Sequence, residues 1–184
     1  TISCDSRAES HRITAIARDL NTTAHVAPRL APDPDSLPPT RFGERLPAWR
    51  QAEWPQDLRV VGVHVHLHGY SEADRRTALA EAIALVEHVR ALGQPADFID
   101  IGGGVPMSYL KSREQWENYL ERIASQRAGT GEPFTWKSDP LSNTYPFWQE
   151  PTRGQWLDQL LSGEVPGYGT AGTALRERDI ALHL

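Results

Sequence analysis

Three histidines alternate with other residues in the run Gly62-Val63-His64-Val65-His66-Leu67-His68-Gly69. On a strand every second side chain shares a face, so His64, His66 and His68 are expected to point the same way. Two chemistries suit such a row. One is structural, with each imidazole hydrogen-bonded inside a sheet, and the other is a divalent-metal site on which neutral imidazoles two residues apart converge. A second feature is Gly102-Gly103-Gly104, directly after the strand-like run at 97–101. Residues without Cβ let backbone N–H groups approach an anion closely, which is the usual physics of phosphate binding. Amines are scarce: Lys111 and Lys137 are the two lysines among 19 basic residues, which leaves few side chains for Schiff-base chemistry.

The elements that must position these residues alternate along the chain. Residues 1–4 suit a strand, and 6–20 a helix in which Ile13, Ile16, Ala17 and Leu20 mark one buried face. A strand follows at 24–30. The segment 31–39 holds four prolines in nine residues and must be a surface loop, and a short helix with Pro47 in its first turn is expected at 47–54. The β-branched run 58–69 reads as one buried strand of a parallel sheet covered by helices. Ser71 and Asp74 then stand at capping-box spacing, ahead of a helix whose Leu79, Ile83, Val86 and Val89 or Arg90 face inward while Arg75, Arg76, Glu81 and Glu87 face out. Gly93 stops it. The order strand, helix, strand over 58–104 is a βαβ unit.

Beyond Pro106 the pattern changes to an aromatic-rich insertion at about 111–171, containing Trp116, Trp136, Trp148 and Trp156. Helices are expected at 112–126 and 153–161, with Tyr145-Pro146-Phe147-Trp148 between them. The segment 134–156 is expected to elaborate one loop as a lid over the site. A helix at 173–179 and the alternation at 180–184 close the pattern.

Composition narrows the function classes. The 184 residues carry a formal net charge of −5, with 39% hydrophobic and 23% charged residues. That describes a globular chain rather than a disordered tail or a disulfide-stapled module, and no stretch approaches the ~18 apolar residues of a membrane span. Positive charge is neither in excess nor gathered into a run, so no nucleic-acid partner is expected. Cys4 is the single cysteine, which excludes an intrachain disulfide. Thr1 as first residue and Met107 as the only methionine lead us to expect a processed chain or a fragment.

The run Gly62-Val63-His64-Val65-His66, followed by Asp100-Ile101-Gly102-Gly103-Gly104-Val105-Pro106, resembles the fold-type III pyridoxal-phosphate enzymes, the group of ornithine, diaminopimelate and arginine decarboxylases. Ser3-Cys4-Asp5-Ser6 with Glu9, Arg29 to Pro32, and Arg41-Phe42-Gly43 are similar to further family segments in the same order. His66-Leu67-His68-Gly69-Tyr70-Ser71 and the tail Pro106-Met107-Ser108-Tyr109-Leu110 look closer to a less characterised decarboxylase-like subfamily. The resemblance covers about residues 1–110. It implies an α/β fold, part of an alanine racemase-like (β/α)8 TIM barrel. A complete barrel takes roughly 250 residues, so the chain is expected to be an incomplete, partial pyridoxal-phosphate-binding barrel domain.

The same resemblance implies the cofactor pyridoxal 5'-phosphate, with His66 stacked on its pyridine ring and Gly102, Gly103 and Gly104 donating to its phosphate. Ser71 or Gly69 would stand near the family's Gly-Ser phosphate contact, where His68 and Tyr70 interrupt the motif; Ser71 also reads as a helix N-cap. The implied activity is that of an amino-acid decarboxylase, a C–C lyase acting through an external aldimine in a cytoplasmic homodimer. The family's Schiff-base lysine sits on a strand before the region that residue 1 resembles, so the resemblance assigns no catalytic residue here and this piece alone is expected to be inactive. Two rivals remain. One is a metal-dependent barrel hydrolase using His64, His66 or His68, with His88, Asp97, Asp100 and His183 as further candidate ligands. The other is a non-catalytic barrel homologue with a binding or regulatory role.

Overall fold

Parallel pairing organises the sheet. In the computed structural model, which describes residues 1–142 and 145–184, β1 (Ile2–Cys4), β2 (Ala24–Leu30), β4 (Gly62–Val65), β5 (Phe98–Asp100) and β10 (Ala181–His183) lie side by side in that order. Every neighbouring pair among them is parallel. The two positions of the 134–156 segment between the described stretches lie outside the described residues. Parallel neighbours require crossovers, and α1 (Arg7–Asp19) and α3 (Glu72–Ala91) supply two of them. The run expected as one strand over 58–69 is instead two. β3 (Leu58–Val60) pairs with β2 at Ala24 to Val26, while β4 pairs with β2 at Arg29 and Leu30 and with β5. Pairing ends at Val65, so His66 and His68 lie beyond the strand.

The register sorts the sheet into two faces. Val26, Leu30, Val63, Val65, Ile99 and Ile101 are buried on one, and α3 packs against β4 with Ala78, Leu79, Ala82, Ile83, Leu85, Val86 and Val89 buried. The other face carries Ser3, Ala27, Arg29, Gly62, His64, Phe98, Asp100 and His183, matched across the strands. Phe98 lies across Gly62, where a Cβ would stand 2.5 Å from its ring, and stacks on His183 with centroids 4.4 Å apart.

Two helix faces differ from the expected ones. On α1 the buried residues are Ser10, Thr14 and Ala17, whereas Ile16 and Leu20 are exposed. Ser10 Oγ donates to Arg7 O and Thr14 Oγ1 to Ser10 O, so two small hydroxyl residues approach the sheet with their polar atoms satisfied. On α3, Arg75 belongs to the buried face rather than the outer one. The helix expected at 47–54 is the single turn α2 (Leu46–Trp49). It buries Trp49, whose indole donates to Arg29 O at 2.9 Å.

Contacts divide the chain into two units, Thr1–Gly104 with Asp158–Leu184, and Val105–Leu157. The aromatic unit is therefore shorter than the segment 111–171. The hairpin β8 (Glu164–Val165) and β9 (Gly169–Thr170), together with α6 (Ala171–Arg176), belongs to the sheet unit, where α3 contacts both β8 and α6. Within the second unit α4 (Arg113–Arg127) presents Trp116 and Tyr119 to Phe147, at 5.9 and 5.8 Å between centroids, and Tyr119 to Phe134 at 5.5 Å. A short hairpin, β6 (Thr135–Trp136) and β7 (Asp139–Pro140), completes it.

Gly43 anchors the loop that closes over β2: its φ is +82° and a Cβ would fall 2.6 Å from Arg29 O. Gly93 has the same φ but open space around it. Gly43→Ala is expected to cost about 2–4 kcal/mol, left-handed strain plus a backbone clash, and Gly93→Ala only about 1 kcal/mol. Urea unfolding of the two variants checks this ordering.

Candidate active site

The site follows from the pairing of β4 with β5. His64 is opposite Asp100, so two residues further on, just past both strand ends, His66 meets Gly102. A Cβ on Gly102 would lie 2.6 Å from His66 Nδ1, so only glycine admits the ring there. Gly102, Gly103 and Gly104 all adopt positive φ, at +56°, +78° and +71°. The Gly102 N–H is already directed inward, donating to Asp100 Oδ1 at 2.7 Å. Gly103 and Gly104 form the exposed remainder of the turn. His66 is itself exposed, so a ring lodged against a glycine turn also presents a surface outward.

Behind it runs a polar row. Arg29 is opposite His64, and His64 and His183 flank Asp100. Ser3 Oγ lies 2.6 Å from His64 Nδ1, and Arg29 pairs with Asp5 at 3.3 Å. Burial pushes the His64 pKa down; Arg29 and His66 push the same way, and Asp100 opposes them. The His66 pKa is also lowered, first by the desolvation of the ring edge lodged against the glycine turn and then by Arg29 and Arg75. Both imidazoles are thus biased toward the neutral form. Cys4, on the apolar face, is pushed up to about 11 by burial and stays a thiol.

Arg75, in the first turn of α3, is 1% exposed. Its Nη1 donates to Gly69 O at 2.9 Å, its guanidinium carbon stands 5.8 Å from the Tyr70 ring centroid, and its Nη2 lies 3.0 Å from where a Cβ of Gly103 would be. Ser71 serves as the N-cap of α3, its Oγ accepting from Asp74 N at 3.1 Å. Alongside, Arg29, Phe42, His66, His68 and Asp74 line a cleft of about 450 Å³. Arg29 and Arg41 each stand over Phe42, 4.7 and 4.9 Å from its centroid.

Neither lysine lies in the sheet unit. Lys111 precedes α4, and Lys137 occupies the β6–β7 turn with φ +49°. Among the described residues no group of three or more His, Cys, Asp or Glu is placed to hold a metal ion, because the strand ends before His66 and the imidazoles of His64 and His66 stand edge-on, 6.4 Å apart. No helix among the described residues is long and apolar enough to cross a membrane. Sequence reasoning missed Arg75 and the Ser3–His64 bond. Helical spacing hid the first, and the second needs residues 61 positions apart.

Residues 2–135 match the family described as pyridoxal-dependent decarboxylase, pyridoxal binding domain. The chain is 34% identical over 121 residues to uncharacterized protein y4yA of Sinorhizobium fredii, covering 65% of this chain and 25% of that protein. It is 28% identical over 145 residues to the diaminopimelate decarboxylase of Campylobacter jejuni, covering 70% and 36%. The crystal structure of diaminopimelate decarboxylase from Helicobacter pylori complexed with L-lysine is similar with a TM-score of 0.50 and 25% identity, over 60% of this chain and 32% of that one. The chain therefore spans between a quarter and somewhat over a third of the length of these curated relatives.

The depressed histidines set a pH dependence with a definite sign. Above the ordinary imidazole pKa of about 6.5, folded and unfolded chains are both neutral at these positions; below it the unfolded chain takes up protons first. Stability is therefore expected to fall as pH drops through about 6.5, and His64→Asn should make the fall shallower. Urea midpoints measured from pH 8 to pH 5.5 check it, and equal slopes for both proteins would contradict it.

Proposed function

The chain belongs to the pyridoxal-dependent decarboxylase family, and we propose that its sheet unit is the cofactor-holding wall of an amino-acid decarboxylase. The family's cofactor is pyridoxal phosphate, and the strand order and the H. pylori likeness make the sheet part of the family's barrel. The observation that carries the proposal is the close seat of His66 on Gly102, a cradle that a Cβ at position 102 would fill.

The residues fit the group. His66 offers an imidazole face to a flat aromatic ring. The backbone N–H groups of Gly103 and Gly104 are the donors offered to a phosphate, while Asp100 holds the Gly102 end of the turn. Ser71 supports the site by capping α3. His64, kept neutral and bonded to Ser3, maintains the polar row without adding a cation beside His66. When bound, pyridoxal phosphate supplies an electron sink for the pair left as an amino acid loses its carboxylate. Lys111 precedes α4 and Lys137 occupies a hairpin turn, so neither lies on a strand of the parallel sheet, and this chain is read as holding the cofactor without a covalent link and without turnover of its own. An amino-acid substrate, a homodimeric enzyme and a cytoplasmic location belong to the same proposal.

Titrating the chain with pyridoxal phosphate and following the cofactor's fluorescence should give saturable one-site binding. His66→Ala is expected to weaken it roughly two- to thirteenfold, the ~0.5–1.5 kcal/mol of an aromatic pair, and Gly102→Ala at least as much by displacing the ring. His25→Ala, on the exposed start of β2, should leave binding unchanged. Borohydride treatment should leave no stoichiometric adduct on Lys111 or Lys137 by mass spectrometry. A folded chain that shows no saturable binding would overturn the reading.

A further inference from the structure

Arg75 stands where three segments meet: the first turn of α3, the Gly69-Tyr70 turn after β4, and the glycine turn after β5. Taking a guanidinium out of water is costly, yet this one is 1% exposed. Its Nη2 occupies the space beside a Cβ at position 103, at 3.0 Å, a position whose φ of +78° already favours glycine. A surface arginine would be hydrated and screened by salt, whereas a charge lodged behind backbone donors acts through a medium that screens it far less. The charge is felt on the site side of the turn, because it is among the causes that lower the His66 pKa.

Building on the cofactor-wall reading, we propose that Arg75 is the fixed positive charge of the phosphate subsite: it holds a phosphate monoester dianion electrostatically from behind the Gly103-Gly104 turn. The turn supplies directional N–H donors and Arg75 supplies charge, a division that lets the backbone approach the anion while the guanidinium stays anchored to Gly69 O. A purely structural arginine, there only to tie Gly69 to α3, would not distinguish a phosphorylated ligand from its dephosphorylated form.

Binding of pyridoxal phosphate and of pyridoxal is therefore compared in the wild-type chain, Arg75→Lys and Arg75→Met. Arg75→Met should lose roughly ten- to hundredfold in affinity for the phosphorylated ligand, as for a charge-assisted contact, with pyridoxal affinity within about twofold. Arg75→Lys should recover most of the preference. By NMR the His66 pKa should rise in cofactor-free Arg75→Met. In the wild-type chain inorganic phosphate should shift the Arg75 Nε–Hε resonance, and pyridoxal phosphate should compete for that shift. This last measurement decides the matter even if Arg75→Met does not fold. An unshifted resonance, an intact phosphate preference in Arg75→Met, or equal loss of both ligands overturns the Arg75 assignment while leaving the cofactor-wall reading standing. If neither ligand binds the wild-type chain, both fall.

Discussion

The parallel register of β4 against β5 is the constraint on which the rest of the site depends. With His64 opposite Asp100, the next positions on that face are His66 and Gly102, and their contact follows from the two-residue period of a strand. A slip of β4 by one residue would bring Val63 and Val65 to this face and place imidazoles among the residues that pack under α3. The apolar face thus enforces the polar one. Burial of the valines and isoleucines stabilises the fold and, at no separate cost, aims the histidine at the glycine turn.

The same division accounts for the electrostatics. A polar row of Arg29, His64, Asp100 and His183 crosses one face of a sheet whose other face is apolar. Along the row a cation and a carboxylate are separated by an imidazole biased toward the neutral form: Arg29, then His64, then Asp100. Asp5 and Ser3 satisfy it from β1 and its end. The glycine turn is tied into the row through Asp100, so the site's loop and its floor form one hydrogen-bonded unit.

Much of this was legible in the amino-acid order. The cap at Ser71, the stop at Gly93, the proline-rich loop and the alternation of strand and helix each depend on a few neighbouring residues, and local rules capture them. The family's motif order singled out His66 and Gly102, which the structure brings together. What escaped depended on partners distant in sequence. Val61 passes its N–H to Val26 O and its carbonyl to Asp97 N, and that exchange of partners divides the run from Leu58 into two strands, a break that no feature of the run itself announces. The face of α1 was misjudged in part: Ala17 is buried as expected, but hydrophobicity favours Ile16 and Leu20, whereas close approach to the sheet favours small residues such as Ser10 and Thr14. Arg75 looked like a solvated charge because periodicity weighs residue type and not what lies across the gap.

Gly62 and Phe98 carry a consequence of another kind. The Phe98 ring, held flat by His183, fills the space that any side chain at position 62 would need. The two positions therefore form a single steric unit. In a library randomised at both, larger residues at 62 should be recovered only together with smaller ones at 98, and the identity of His183 should matter to which pairs succeed. The sheet's interior face thus restricts the protein's mutational paths to coupled steps, even where no hydrogen bond or charge is involved.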